Sequence, residues 1–194
     1  MDEEFDLATR IASRICHDLI SPVGAIGNGV ELLGMAGLQN SPELGLVDES
    51  VKDAQGRIKF FRVAFGRAED GQGVGEAEIV TTLKEYLGGG RVRLNWPQPG
   101  TVSRAELRAV FLAINCLETE LAFGGTIEVR PGWEVTARAE RLRDDAAAWA
   151  ALARGDGDGL GPEQVQFALL PRAVAALGRS VKVQRAVGEI SLRF

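Results

Sequence analysis

The stretch Ile15-Cys16-His17-Asp18-Leu19-Ile20-Ser21-Pro22-Val23-Gly24-Ala25-Ile26 decides how the N-terminal part of this chain folds. Ile15, Leu19, Pro22 and Ile26 stand at alternating spacings of four and three. That is the pattern of a helix face seated against other helices. Outward from it, Phe5, Ala8 and Ala12 on one side and Gly29, Leu33 and Ala36 on the other keep the alternation. The spacing predicts one long helix over residues 2–37. Cys16, Val23 and Val30, directly beside this seam, are apolar too, so the stripe is wide enough for a helix bundle.

A break follows at residues 37–42, where Ser41 suits a helix cap and Pro42 the first helical position. Leu44, Val47, Val51, Ala54, Ile58, Phe61, Phe65 and Ala68 alternate in the same way and predict a second helix to about residue 70. Two such helices joined by a short loop make an antiparallel hairpin. A hairpin alone buries only one side of each helix, so two copies are expected to pack as a homodimeric four-helix bundle.

Past a glycine-rich linker at residues 71–75 the pattern changes. Residues 76–87 read as a helix and 91–96 as a strand. Ser103, with Glu106 three positions on, forms a capping box for a helix to about residue 123. Residues 126–130 and 134–140 read as strands about a Pro131-Gly132 turn. A short alanine-rich helix over 144–153, a loop over 155–161, a helix over 162–177 ended by Gly178, and strands over 181–186 and 189–194 complete the chain. The expected fold class is α+β: a helical hairpin, residues 1–72, followed by an α/β sandwich, residues 73–194, with helices on one face of its sheet.

Composition narrows the function classes. Hydrophobic residues are 45% and charged residues 25% of the chain, the mix of an ordinary globular protein. The net charge of -5 argues against nucleic-acid binding. Cys16 and Cys116 lie far apart, and with one histidine in the chain they complete no typical zinc site. The acidic start lacks the features of a signal peptide, and no apolar run is long enough to cross a bilayer, so a cytoplasmic location is expected.

His17 is the single histidine, and a neutral imidazole is a nucleophile at cellular pH. With Ile15 and Leu19 on the seam, His17 takes an outward position, where a surface histidine is the plainer reading. Its neighbours on that face are Ser13, Arg14, Ile20, Ser21 and Gly24. Most are small, which leaves room for another protein, and Ile20 is an aliphatic residue facing solvent. Asp18 diverges from His17 by about 100° on the helix, and a carboxylate there that reaches Nδ1–H would hold the imidazole in one tautomer. Arg14 is a candidate to neutralise phosphate oxygens or is simply a solvated charge, and Lys59 and Arg62 are weaker candidates for the same role. Gly24, Gly27 and Gly29 each cost about 1 kcal/mol inside a helix, and Pro22 removes a helical hydrogen bond. For Gly29, on the seam, close helix packing is the preferred explanation.

The run from Cys16 through Gly29, with its His-acid-x-x-x-Pro core, resembles the phosphoacceptor helix of the ChpT-type bacterial histidine phosphotransferases, relatives of the sensor histidine kinases. The likeness extends over the whole chain in layout, and the second domain is similar to a degenerate kinase ATP-binding domain. Asn115 matches the first asparagine of the kinase ATP helix, but Thr119 stands where the metal-holding one belongs. The loop over 155–161 has the composition of the adenine-reading box without its spacing, and is read as a turn in preference to a weak calcium-like loop. Gly161-Pro162 runs straight into the next helix, leaving no room for an ATP lid.

The resemblance implies a phosphotransferase that relays a phosphoryl group between receiver-domain aspartates through phospho-His17, without ATP binding or autokinase activity. It implies Asp18 as the residue that orients or activates His17. Ser13, Arg14, Ile20, Ser21 and Gly24 would contact the phosphate or receiver. It further implies no cofactor or metal on this chain, Mg²⁺ supplied by the partner receiver, a donor receiver on a hybrid kinase and an acceptor on a response regulator. No nucleic-acid or membrane partner is implied. Two other readings stay open: a non-catalytic dimeric adaptor or inhibitor that docks receivers or kinases, and an active histidine kinase.

Overall fold

The computed structural model describes residues 3–35, 41–68, 71, 73–88, 90–97, 100–143 and 145–194, with the side chains of 3–7, 9, 10 and 13 outside the description. By its internal contacts the chain forms two compact units, Met1–Arg67 with Thr81–Gly88, and Ala68–Val80 with Gly89–Phe194. The sequence-based division at residues 72 and 73 thus differs from the contact-based one in where residues 68–72 and 81–88 belong.

The first unit is built on helix α1, Glu3–Leu33, and helix α2, Pro42–Ala64. Helix α1 runs through Pro22 and ends in a wider turn at residues 34 and 35; the expected continuation over 36 and 37 lies outside the described residues. Ser41 caps α2 as expected, accepting a hydrogen bond from the Leu44 amide at 3.4 Å, with Pro42 in the first turn. Helix α2 stops at Ala64 and not at residue 70. Phe65 closes its last turn by donating its amide to the Phe61 carbonyl, and Gly66 follows, a residue that gains little from helical backbone.

The hairpin packs through the flank of the expected seam. Cys16 and Val30 are buried and Val23 is half-buried, while Ile15, Leu19, Ile26 and Leu33 of the seam are exposed. A Cβ on Gly27 would meet Gln55 at 3.1 Å and Val51 at 3.3 Å, whereas one on Gly29 would meet nothing within 4 Å. Of Gly24, Gly27 and Gly29, it is therefore Gly27 that packs closely against α2. The sequence pattern marks a wide apolar arc but does not say which part of it faces the chain's own second helix.

Residues 81–88 complete this unit from the second half of helix α3, Glu76–Leu87. Phe60 is fully buried and stacks on Tyr86 with ring centroids 3.7 Å apart. Lys59 donates to Glu85 at 2.8 Å. Gly56 lets the two segments approach: a Cβ there would sit 2.5 Å from the Glu85 carbonyl oxygen.

The second unit holds a five-stranded sheet in the order β2-β4-β5-β7-β6, from Val92–Asn95, Gly125–Arg130, Glu134–Arg138, Glu189–Arg193 and Lys182–Ala186 respectively. β2 and β4 are parallel and the remaining neighbours antiparallel. The residues taken as linker over 71–75 include a short strand, β1, Gly73–Gly75, which pairs with β3, Thr101–Ser103. Three-residue strands joined across a long stretch of chain leave no local period to read.

Helix α4, Arg104–Glu120, is buried on almost every side from Leu107 to Leu117, as a central core helix must be. The Ser103 hydroxyl accepts from the Glu106 amide at 3.3 Å. The Glu106 carboxylate in turn accepts from that hydroxyl at 2.9 Å. The helix ends three residues before the expected 123 because Leu121 and Gly124 close it in tight turns. Helix α5, Ala146–Arg154, is capped by Asp145; residue 144 of the expected helix lies outside the described residues. A short 3₁₀ turn, Pro162–Gln164, leads into helix α6, Val165–Ala176.

Cross-strand register puts Ile127, Val129, Val135, Ala137, Ile190 and Leu192, all buried, on one face of the sheet. The opposite face carries Glu128, Arg130, Arg138 and Glu189 in linked ion pairs. This is the expected sandwich with helices on one face. The buried Glu120 joins α4 to α5, accepting from Trp149 Nε1 at 3.0 Å and the Asp145 amide at 3.2 Å.

The glycines of α2 give opposite expectations for one substitution. Gly56→Ala should lower stability by about 1–3 kcal/mol, because overpacking against Glu85 outweighs the helix preference of alanine. Gly45→Ala, where a Cβ meets nothing within 4 Å, should raise it by up to about 1 kcal/mol. Denaturant unfolding of both variants measures the two signs.

Candidate functional site

Helix α1 presents three faces. One, with Cys16, Val23 and Val30, turns toward α2. A second, the seam, leaves Ile15, Leu19 and Ile26 exposed at 53%, 45% and 53%. Successive helix residues rotate by about 100°, which puts His17 far around the helix from Ile15. Its side chain is 84% exposed. Ile20, Ser21 and Arg14 are exposed near it, and a Cβ on Gly24 would meet nothing within 4 Å. Ser13 lies in the same helix, its side chain outside the description.

His17 Nδ1 lies 3.2 Å from Asp18 Oδ1. Asp18 Oδ2 accepts from Arg14 Nε at 2.6 Å. The hydrogen bond from His17, and after it the one from Arg14, hold the Asp18 carboxyl below the usual carboxylate range. Asp18 is therefore ionised at neutral pH and can only accept. The Nδ1–H of His17 must donate, and in the neutral ring Nε2 is left with its lone pair. As a carboxyl with a lowered pKa, Asp18 gives this arrangement in full above its ordinary value and loses it as the pH falls through the lowered one.

Pro22 has no amide hydrogen, so the carbonyl of Asp18, four residues back, lacks its helical donor. Cys16, next to the histidine, is buried, and burial pushes its thiol pKa up against the opposing pull of Arg62. Lys59, a weaker candidate for phosphate contact, is paired with Glu85. Sequence reasoning placed Arg14 beside His17 but missed its bond to Asp18; the spacing of four between them was the available signal.

The positions expected of a nucleotide site carry other bonds. Asn115 is buried on α4. The Thr119 hydroxyl donates to the Cys116 carbonyl at 2.7 Å, back into its own helix. In the loop over 155–161, Asp156 accepts two bonds from Arg154, at 2.9 and 3.1 Å, and one from the Asp158 amide. Gln164 accepts from the Gly161 amide and donates to Asp145. The loop is a hydrogen-bonded turn. Among the described residues no group of three or more His, Cys, Asp or Glu is placed to hold a metal, and no helix is long and apolar enough to cross a membrane.

The family model for the histidine phosphotransferase C-terminal domain matches residues 76–188, more than half of the chain. The chain belongs to the histidine phosphotransferase family. A curated relative, the protein phosphotransferase ChpT of Brucella abortus (strain 2308), is 35% identical over 152 residues, covering 71% of this chain and 70% of the relative. A solved bacterial phosphotransferase has the same fold, with a TM-score of 0.69 over 99% of this chain and 96% of that one, at 20% identity. This histidine phosphotransferase is an enzyme of a phosphorelay. The family-model match begins at residue 76, so it does not draw on the histidine motif in α1.

Removal of the Asp18 carboxylate tests the tautomer directly. In the native protein the neutral His17 ring should carry its proton mainly on Nδ1. In Asp18→Ala the population should move toward the Nε2-protonated form. Imidazole ¹⁵N NMR reads both states.

Proposed function

We propose that His17 is the phosphoryl carrier of this phosphotransferase, and that its donors and acceptors are aspartates of receiver domains. The observation that carries the reading is the exposed imidazole whose Nδ1 lies 3.2 Å from the Asp18 carboxylate.

The Nε2 lone pair attacks the phosphorus of a receiver aspartyl phosphate. The phosphorus–oxygen bond to the aspartate breaks, and its electron pair leaves with the carboxylate. Nδ1 keeps its proton throughout, so the product is a phospho-imidazolium whose positive charge faces the Asp18 carboxylate. The reverse step, on a second receiver, returns the ring to neutrality. The receiver supplies Mg²⁺ and most of the charge stabilisation at phosphorus, and this chain contributes position and a fixed tautomer. No ATP chemistry is needed, and the bonds made by Thr119 and Asp156 support a protein that does not phosphorylate itself.

The same reading includes a homodimer. Ile15, Leu19, Ile26 and Leu33 form an exposed apolar stripe with Leu46 and Val47 of α2. A groove of about 310 Å³ within it is lined by Val23, Ile26, Leu46, Val47, Ser50, Val51 and Ala54. A second copy seated there completes a four-helix bundle and leaves His17, on another side of α1, accessible.

Three measurements test this. A phosphorylated receiver mixed with the wild-type chain should lose its label to this chain, and His17→Ala should accept none. Labelled ATP alone should label neither. Equal acceptance by both forms, or autophosphorylation of His17 from ATP, contradicts the proposal. In sedimentation, the wild type should run as a dimer and Ile26→Glu should shift to monomer.

A further inference from the structure

The helical unit has three hydrogen-bonded ion pairs at a spacing of four among the described residues. On α2, Asp48 precedes Lys52 and Asp53 precedes Arg57, the acid N-terminal to the base. That order is the favourable one on a helix, because each charge then complements the dipole. On α1 the order is reversed, with Arg14 before Asp18. An exposed pair in the weaker orientation adds little to helix stability.

What the reversed pair does supply is geometry. Asp18 offers two oxygens, one accepting from Arg14 and the other facing His17. An exposed carboxylate on a helix is otherwise free to rotate and to take water in place of the imidazole. The Arg14 bond is short, at 2.6 Å, and removes that freedom. The backbone does less than usual to steady this turn, since Pro22 leaves the Asp18 carbonyl without its helical donor.

We propose that Arg14 is a positioning residue that acts through Asp18: it sets the carboxylate so that His17 is kept with its proton on Nδ1 and its nucleophilic Nε2 outward. This rests on the reading of His17 as the carrier. It differs from the expectation that Arg14 meets the phosphoryl group itself. A residue acting on phosphate works whether or not Asp18 is present, whereas a residue acting through Asp18 has nothing left to do once the carboxylate is gone.

The test is a double-mutant cycle in the full-length protein, with Arg14→Ala, Asp18→Ala and the pair, following phosphoryl transfer from a phosphorylated receiver. Arg14→Ala alone should slow transfer about two- to fivefold, the range of an exposed charge pair. In the Asp18→Ala background it should add nothing. Imidazole ¹⁵N NMR on the unphosphorylated Arg14→Ala protein should show the tautomer population moving in the same direction as in Asp18→Ala. A purely structural role for Arg14 leaves that population unchanged. Independent, multiplying rate effects, or an unchanged tautomer in Arg14→Ala, overturn the proposal. Failure of the carrier reading is seen separately, as transfer that survives His17→Ala.

Discussion

The rotational setting of α1 against α2 is the constraint on which the helical unit depends. Cys16, Val23 and Val30 turn to the second helix, and Gly27 lets Val51 and Gln55 come close. Once those residues are inside, the helix period leaves no choice for the others. The apolar stripe through Ile15 and Ile26 must face outward on one side, and His17 must face outward on another. A turn of one residue about the helix axis would bury His17 or Ile15 in place of Cys16. The exposure of the His17 ring is therefore set by contacts that do not include it.

The second unit depends on a different interior. α4 is buried on nearly all sides between the sheet and α6, so its sequence from Leu107 to Leu117 is almost continuously apolar. Asn115 is buried in this setting, and Thr119, just past it, is half-buried. Thr119 spends its hydroxyl on its own helix. The acidic loop before α6 is spent in the same way, on Arg154 and on its own backbone.

Much of this was legible from local chemistry. The caps at Ser41 and Ser103 and the Pro131-Gly132 turn depend on a few adjacent residues, and each is where the sequence places it. The outward setting of His17 followed from period alone. What was not legible was non-local. β1 and β3 pair over a long separation and are too short to carry a period. The apolar arc of α1 spans both the side buried within the chain and the side left open, and hydrophobicity does not distinguish them. Phe65 and Ala68 continue the spacing of α2 beyond its last turn because they are partly covered outside a helix as well as within one. Arg14 was seen as a charge near a histidine, when its partner was the carboxylate one turn along the same helix.

The notch at Gly27 has a mechanical meaning. A Cβ at position 27 would lie 3.1 Å from Gln55 and 3.3 Å from Val51, so a side chain turned to this spot has to push both aside. The notch therefore favours one rotational setting of the helix. A signalling protein that switches by twisting its helices presents different faces in different states. A helix held by such a notch keeps one face outward, and under the proposed relay each receiver would meet that same face.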